Sequence, residues 1–390
     1  STIAISLFFG AALLLSACVT EVPPLATTDV PAQWLGPLSE DAAVWPDRQW
    51  WNNFGNNELS SIIDGVQENN LDLANNRRNL EAAQLTLRDA GFNLLPTPIV
   101  SIGTGASYNE TRTDLLDTSG SPGTPFSLGA SFSYNNILSK PATYERALAD
   151  YDLRAAQVAD IALNTLGTAA STYFQLLLTR DKATAAQQNV ANAEAIGAIA
   201  QARVNAGVAV PIEALQQRIA IERERNNLRS LIQNDLAARA SLALLLGRSV
   251  QGFDVEGQSL LDILVPAVQP GLPSGLLQRR PDLVQAESSL RSANANIAIV
   301  RTSLFPQISL TGGVNASSTS LSELVSSPDT LLTISSNLVQ TLLDNGQRYR
   351  NIDQAQLAME NNLSSYRKAV LGAFNEVEVL LSNIQLLDAQ

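Results

Sequence analysis

The 390-residue chain contains no histidine. That excludes nucleophile systems with an imidazole base and removes the commonest transition-metal ligand. Basic residues are in the minority, 25 Lys and Arg against 37 Asp and Glu, for a net charge of −12. Nucleic acid is therefore not an expected partner, because phosphate binding needs clustered cations. Aromatics make up only 5% of the chain while alanine is abundant, which suits closely apposed helix walls rather than a thick core. The acids are scattered along helical faces, where solvated surface is their ordinary role. Ser365 and Lys368 match a Ser-x-x-Lys pattern, but no companion motif accompanies them and they belong to a helix surface. No enzyme, cofactor or metal site is implied.

Cysteine is nearly absent too, and its single occurrence is informative. The chain opens STIAISLFFGAALLLSACVT, an apolar stretch that ends in small residues and is too short to span a membrane comfortably. Leu15-Ser16-Ala17-Cys18 resembles a bacterial lipobox, in which cleavage before the cysteine is coupled to its lipidation. Residues 1–17 then read as a signal peptide and Cys18 as the lipid-bearing N-terminus. Basic residues before the apolar run and an initial Met are missing, so the N-terminus reads as clipped. Val19 stands where an Asp commonly retains lipoproteins at the inner membrane, which points to the outer membrane.

The chain also says everything twice. At a constant offset of 210, Asp72, Leu73, Leu80, Ala83, Leu94, Pro96, Gly103, Ala106 and Ser107 each meet an identical residue. Further on, LGTAASTYFQLL from Leu166 aligns with LGAFNEVEVLLS from Leu371 at an offset of 205. The five-residue difference falls in the loop between strands, where indels are cheap. Each repeat reads helix, strand, polar loop, strand, long helix, with strands expected near 98–108, 126–137, 306–317 and 330–341. Residues 58–248 form the first repeat and 281–390 the second. Between them, 249–280 is a Pro- and Gly-broken linker, and 18–57 precedes the first repeat as the lipid-anchored segment.

No proline falls between Pro141 and Pro211, and Ala155, Val158, Ala162, Leu166, Ala169, Tyr173 and Leu176 keep helical spacing. A helix of about 60 residues would reach roughly 90 Å. Its neighbours, Leu59 to Phe92 and Pro211 to Leu246, read as about half that length. RVNAGVAVPIE, Arg203 to Glu213, is the turn of an antiparallel helical hairpin, with Gly207 as stop and Pro211 as start. Arg279-Arg280-Pro281-Asp282 reads as a helix cap. Trp34, Trp45, Trp50 and Trp51 all lie in the first Pro-rich segment and read as packing against the helices.

In the strands the polarity alternates with a period of two. Ile308, Leu310, Val314 and Ala316 share one parity, and Ser309, Thr311, Gly313 and Asn315 the other. Val100 and Ile102 in the first strand and Phe126, Leu128 and Phe132 in the second repeat the pattern. Segments of about ten residues have the span of a transmembrane β-strand, and Ser, Thr, Gly and Asn suit a watery lumen. Aromatics (Phe92, Tyr108, Phe126, Tyr134, Phe305) stand near strand ends, as girdles do. The apolar face is expected to touch lipid, with Leu310 outward and Ser309 toward water. Four strands cannot close a barrel, so several copies must pool theirs.

GLPSGLLQRRPDLVQAESSLRSANANIAIVRTSLFPQISLTGG, Gly271 to Gly313, closely resembles the signature region of TolC-like outer-membrane efflux proteins, in the OprM/NodT lipoprotein branch. LALLLG (from Leu242), RVNAGV (from Arg203) and LLDNGQRYR (from Leu342) are similar to that family too, and the similarity covers the chain after the lipobox. The resemblance implies a mainly α protein with membrane β, one third of a trimeric twelve-stranded barrel continued by a periplasmic helical barrel. It implies a homotrimer, a periplasmic adaptor and an inner-membrane pump as partners, outer-membrane lipid around the strands, and a passive efflux duct as function. Arg203, Asn205, Gly207 and Val208 would then meet the adaptor.

Two departures stand out. ILSKPATY (from Ile137) replaces the family's Asp-x-x-Gly-like turn, so that strand-to-helix corner is expected to be rebuilt. The repeat offset also places the partners of Gly207 to Gly247 beyond Gln390, so aperture residues of a second tip are not assignable and one tip per copy is expected. Two alternatives remain: the exit duct of a type I secretion system, and a coiled-coil lipoprotein spacer. The four alternating segments speak against the spacer.

Overall fold

The computed structural model describes residues 49–388, apart from 105–107, 115–116, 123–125, 267–274, 276, 278 and 319. Cys18, Trp34 and Trp45 lie outside the described residues. The described elements are mainly helical, with one four-stranded and one two-stranded sheet: α1 (Asn57–Asn69), α2 (Leu71–Phe92), β1 (Thr97–Thr104), β2 (Tyr108–Asp114), β3 (Asp117–Pro122), β4 (Phe126–Tyr134), α3 (Lys140–Asn205), α4 (Pro211–Leu245), α5 (Pro281–Arg301), β5 (Gln307–Ser318), α6 (Leu321–Ser326), β6 (Asp329–Val339) and α7 (Gln347–Asp388). They divide between two compact units. One comprises Glu81–Arg154 with Leu283–Val370; the other takes the described residues up to Leu80, then Ala155–Asp282 and Leu371 onward.

In the first unit the sheet order is β1-β4-β5-β6, antiparallel throughout. Each repeat supplies one adjacent pair of strands, and the pairs join through β4 and β5. The stretch from Glu110 to Thr124, expected as a polar loop, instead carries most of a second hairpin, β2 against β3, with Tyr108 opposite Pro122. Its Thr, Asp, Ser and Gly content hides strand character, because such residues are ordinarily turn formers. At the equivalent place the second repeat has α6. There the Ser320 side chain accepts the Glu323 N–H, and Ser318 Oγ donates to the Glu323 carboxylate. That Ser-x-x-Glu start was readable in the sequence.

Both strand-to-helix corners depend on a cation reaching one and the same carbonyl of the repeat. In the first, Lys140 Nζ donates to the Asn93 carbonyl and lies over the Tyr134 ring, whose hydroxyl donates to Leu94 O. In the second, Arg348 donates to the carbonyls of Ser303 and Thr341 and to Asp344. Asn93 and Ser303 are equivalent at the offset of 210. The unusual ILSKPATY corner is thus rebuilt around Lys140, with Asn136 taking the left-handed turn that Asn345 and Gly346 take in the second repeat.

In the second unit the core gathers Trp51, Leu59, Ile63 and Val66 with Leu166, Ala169, Tyr173, Leu176 and Leu177 of α3, Leu242 and Ala243 of α4, and Phe253 and Val255. Trp51 is buried there, and Trp50 meets it edge-on at 5.8 Å. The single helix expected from Leu59 to Phe92 is broken at Asn70, which is extended (φ −66°, ψ 125°) and almost fully buried. Its side-chain oxygen accepts the N–H groups of Asp72 and Leu73, and its amide donates to the Leu245 carbonyl at 2.9 Å. One residue therefore caps α2 and ties it to the end of α4. The long helix α3 runs unbroken for 66 residues, roughly 100 Å at 1.5 Å each. At its start, Arg291 of α5 pairs with Asp152 at 2.8 Å and Ser292 donates to Asp150 at 2.6 Å.

Candidate functional site: a two-faced sheet and a helical tip

The registers settle which strand residues share a face. Val100, Ala130, Val314 and Leu332 lie in one row, and Ile102, Leu128 and Ala316 in another. Phe132 faces Gly312, Tyr134 faces Leu310, and Ile308 faces Leu338. All eight residues singled out in the sequence (Val100, Ile102, Phe126, Leu128, Phe132, Ile308, Leu310, Val314) fall on this face. It remains open: Val100, Ile102 and Ile334 are 74%, 79% and 73% exposed. The sequence reading missed Leu332, Ile334 and Leu338 of β6, where Leu331 and Val339 interrupt the alternation.

The opposite face holds Ser101, Gly129 and Asn315 in one row and Ser131, Gly313 and Thr333 in the next. Thr311 and Ser335 hydroxyls lie 2.6 Å apart across β5 and β6. The face is crowded at Gly129, where an added Cβ would stand 2.9 Å from Ser101 Oγ and 3.1 Å from Asn315 Oδ1 and would have to displace those side-chain ends. Among the described residues, the outer edges of β1 and β6 have no neighbour in the sheet.

One helix among the described residues, α7, is long and apolar enough to cross a membrane by length and composition. Asp353, Glu360, Arg367, Lys368, Glu376 and Glu378 punctuate it, and Arg280 engages Glu376 at 2.7 Å. Each charge near a bilayer centre costs about 2.5–3.5 kcal/mol, which assigns α7 to water. Arg280 also grips Asp282 through Nε and Nη2, completing the cap at Pro281.

The helical hairpin between α3 and α4 belongs to the second unit. Gly207 takes φ +73°, Val208 N–H donates to Arg203 O at 3.0 Å, and Pro211 opens α4. This is the left-handed stop that glycine favours. Nothing lies within 4 Å of a Cβ added at Gly207, so backbone conformation alone demands the glycine. Val208, Val210 and Ile212 are exposed. Arg203 lies 4.0 Å from Glu213, and Asn205 accepts a hydrogen bond from Gln201. The tip thus presents apolar side chains with its cation loosely tethered.

Sequence patterns gave no hint of the polar straps that hold 254–263 to the helices. Glu58 accepts N–H bonds from Glu256 and Gly257 together with the Tyr173 hydroxyl, and Asp181 accepts that of Leu260. Arg180 donates to Asp235, Asp254, Val255 O and Gly257 O. Burial, then Glu58, pushes the Tyr173 phenol well above its ordinary value. A raised phenol contributes stability that is full below pH of about 10 and lost as pH rises through the folded value. The Val255 N–H and then Arg180 hold Asp254 below the usual carboxylate range. Among the described residues no cluster of His, Cys, Asp or Glu is fit for a metal.

A mainly helical chain with four two-faced strands and a long helical hairpin defines the class of outer-membrane channels. The family model for outer membrane efflux proteins matches residues 62–248 and 272–390. The chain belongs to that family, and it is an outer-membrane channel component of an efflux system. The pyoverdine export outer membrane protein OpmQ of Pseudomonas putida is 31% identical over 97% of this chain and 81% of its own length. The cation efflux system protein CusC of Escherichia coli O6:H1 is 26% identical over 98% of this chain and 83% of its own. The open-state MtrE outer membrane channel of Neisseria gonorrhoeae superposes with a TM-score of 0.76 at 26% identity, covering 93% of this chain and 81% of that one. A membrane protein from Pseudomonas aeruginosa reaches 0.80 at 22% identity, over 95% of this chain and 84% of that one, which speaks to fold.

Proposed function

We propose that three copies pool their strands into a closed twelve-stranded barrel. The barrel is the outer-membrane part of a passive duct in a tripartite, RND-type efflux pump. The observation that carries this reading is the sheet itself, with one exposed apolar face, one hydroxyl-rich face and two unpaired edges. Open edges in lipid leave backbone groups unsatisfied, so the strands must find partners in further copies. The apolar face with Val100, Ile102, Leu128, Phe132, Leu310 and Val314 then meets acyl chains and the serine-rich face lines water. The duct performs no chemistry; selection falls to the pump. Native mass in detergent is the direct test. A species of three chains is expected, and a stable single chain overturns the reading.

Cys18 carries the lipid anchor in this reading, on the strength of the Leu-Ser-Ala-Cys motif and the absence of any other cysteine. Mass spectrometry of membrane-extracted protein is expected to find a diacylglyceryl-modified cysteine at the mature N-terminus. A mature chain with a free Cys18 thiol contradicts the anchor.

The tip around Arg203, Asn205, Gly207 and Val208 docks a periplasmic adaptor through its exposed valines and backbone. Val208→Trp is expected to reduce adaptor crosslinking and efflux-dependent drug tolerance at least tenfold while the heat-resistant oligomer persists on a gel. Arg203→Glu is expected to act in the same direction, compounded by repulsion from Glu213. Unchanged crosslinking removes the docking role; loss of the oligomer as well makes the tip purely structural.

A further inference from the structure

At the helical end of the sheet, each strand-to-helix corner pins its backbone and yet leaves two large apolar side chains in the open. In the first repeat Phe92 and Leu95 bracket a turn, with the Leu95 N–H donating to Phe92 O at 3.0 Å. Lys140 and the Tyr134 hydroxyl hold the two carbonyls between them, those of Asn93 and Leu94. Phe92 and Leu95 are exposed all the same. In the second repeat one guanidinium grips both sides of a leucine pair. Arg348 donates to Thr341 O at 2.6 Å and to the Asp344 carboxylate at 2.7 Å. Between those two anchors Leu342 and Leu343 are 84% and 91% exposed. Their exposure is built into a braced loop.

We propose that Phe92, Leu95, Leu342 and Leu343 form a collar that enters the acyl chains of the membrane leaflet nearest the helices and sets how deep the sheet sits. The partner is the phospholipid surface. The collar rests on the shared barrel proposed above and fixes its boundary on the side of the helices.

The strands alone are short for a membrane. On β5 the apolar face runs from Ile308 to Ala316, eight residue steps. At about 3.3 Å a step and a tilt of about 40°, that covers roughly 20 Å, against an outward apolar band about 25 Å tall. On β6 the run from Leu332 to Leu338 covers roughly 15 Å by the same rule. The far end offers no extension within these strands, since β5 finishes in Ser317 and Ser318 and β6 begins with Asp329 and Thr330. At the helical end the collar continues the apolar band.

The repeat marks the leucine pair as an addition. Ile102 and Gly312 are equivalent and face Leu128 and Ile334, which makes those two equivalent in turn. Lys140 follows Leu128 by twelve residues, whereas Arg348 follows Ile334 by fourteen. The second corner is two residues longer, and the extra length falls in the stretch that holds Leu342 and Leu343. Charge is distributed to match. No ionisable side chain lies in 92–104 or 330–343. Just beyond, 135–144 and 344–350 hold three cations, Lys140, Arg348 and Arg350, and one acid, Asp344, which Arg348 engages. Cations and the exposed Tyr349 at that level suit phosphates and the headgroup region.

Nitroxide labels test the collar in the full chain, reconstituted in vesicles of phosphatidylethanolamine and phosphatidylglycerol, with the unsubstituted chain as control for Cys18. Leu343→Cys and Leu95→Cys carry the label at the corners, Val314→Cys on the apolar face and Asn315→Cys on the polar face. Leu343 is so exposed that a label there needs no repacking. Oxygen enters acyl chains and a nickel chelate stays in water. Collisions with oxygen are expected to exceed those with nickel at Leu343 and Leu95, as at Val314, and the ratio to reverse at Asn315. If nickel dominates at both corners while Val314 favours oxygen, the corners stand in water; the collar is overturned and the barrel remains. Few collisions with either reagent at the corners mark contact with another protein surface and overturn the collar too. Nickel dominating at Val314 removes the barrel reading and the collar with it. Leu342→Ser with Leu343→Ser is expected to shift the ratio at Val314, and an unchanged ratio in a correctly assembled oligomer overturns the setting of depth. Should that double variant fail to assemble, the single labels still decide.

Discussion

Val314→Arg is expected to abolish barrel assembly, whereas Asn315→Arg, one residue along, is expected to leave it largely intact. Both side chains are exposed in the single chain and project from opposite faces of β5. Val314 stands in the apolar row with Val100, Ala130 and Leu332; Asn315 stands beside Gly129 and Leu331 on the hydroxyl-rich face. An arginine on the lipid face near mid-bilayer costs about 2–4 kcal/mol, so the three copies of the proposed barrel would carry about 6–12 kcal/mol, while lumen positions would escape most of it. Leu310→Arg against Ser309→Arg makes the same comparison with a smaller contrast. Leu310 is only the fourth residue of β5, and the penalty falls toward the interface. Heat-resistant oligomer on a gel and outer-membrane yield are the measurements. Equal tolerance at Val314 and Asn315 removes the lipid-facing assignment.

The second large effect is expected in the other unit. Arg180→Met should lower stability by about 1–3 kcal/mol, the range for leaving a buried acceptor without its donor. Arg180 is mostly buried and holds four acceptors, with Asp254, Val255 O and Gly257 O each at 2.6 Å and Asp235 at 3.2 Å. Without the guanidinium, Asp235 keeps Arg239 at 2.8 Å, but both carbonyls lose the donor that ties 254–257 to α3. Arg180→Lys should recover less than half of the loss, because one ammonium cannot match a planar fork spread over four oxygens. Faster proteolysis within 249–263 and a lower melting temperature are the readouts. An unchanged cleavage rate would make the strap incidental.

These two sites differ in how far the sequence disclosed them. The strand faces were legible because a period of two exposes itself locally, and because the repeat at 210 shows each strand a second time. The tip was legible for a similar reason, since Gly207 and Pro211 are local punctuation. The break at Asn70 was not, because the apolar spacing carries through it; only the distant Leu245 carbonyl and the local N–H groups reveal the cap. The β2 and β3 hairpin was hidden by turn-forming composition. Arg180 and Glu58 were invisible for a different reason: their partners lie from 55 to 199 residues away, and no spacing rule reports a contact of that separation.

Along the serine-rich side of β1, β4, β5 and β6, Asp329 at the very start of β6 is the sole ionisable side chain among the described strand residues. Apart from Ile99, Leu331 and Val339, the rest of that face is hydroxyls, amides and glycines, which hydrate a passing solute and leave its charge unanswered. As the wall of a duct, such a surface has, away from Asp329, no fixed charge with which to concentrate cations or repel anions. Permeation through the strand section would then follow solute size and the voltage across it, with little dependence on ionic strength. Any preference for one sign of charge would have to arise among the acids and arginines of the helices.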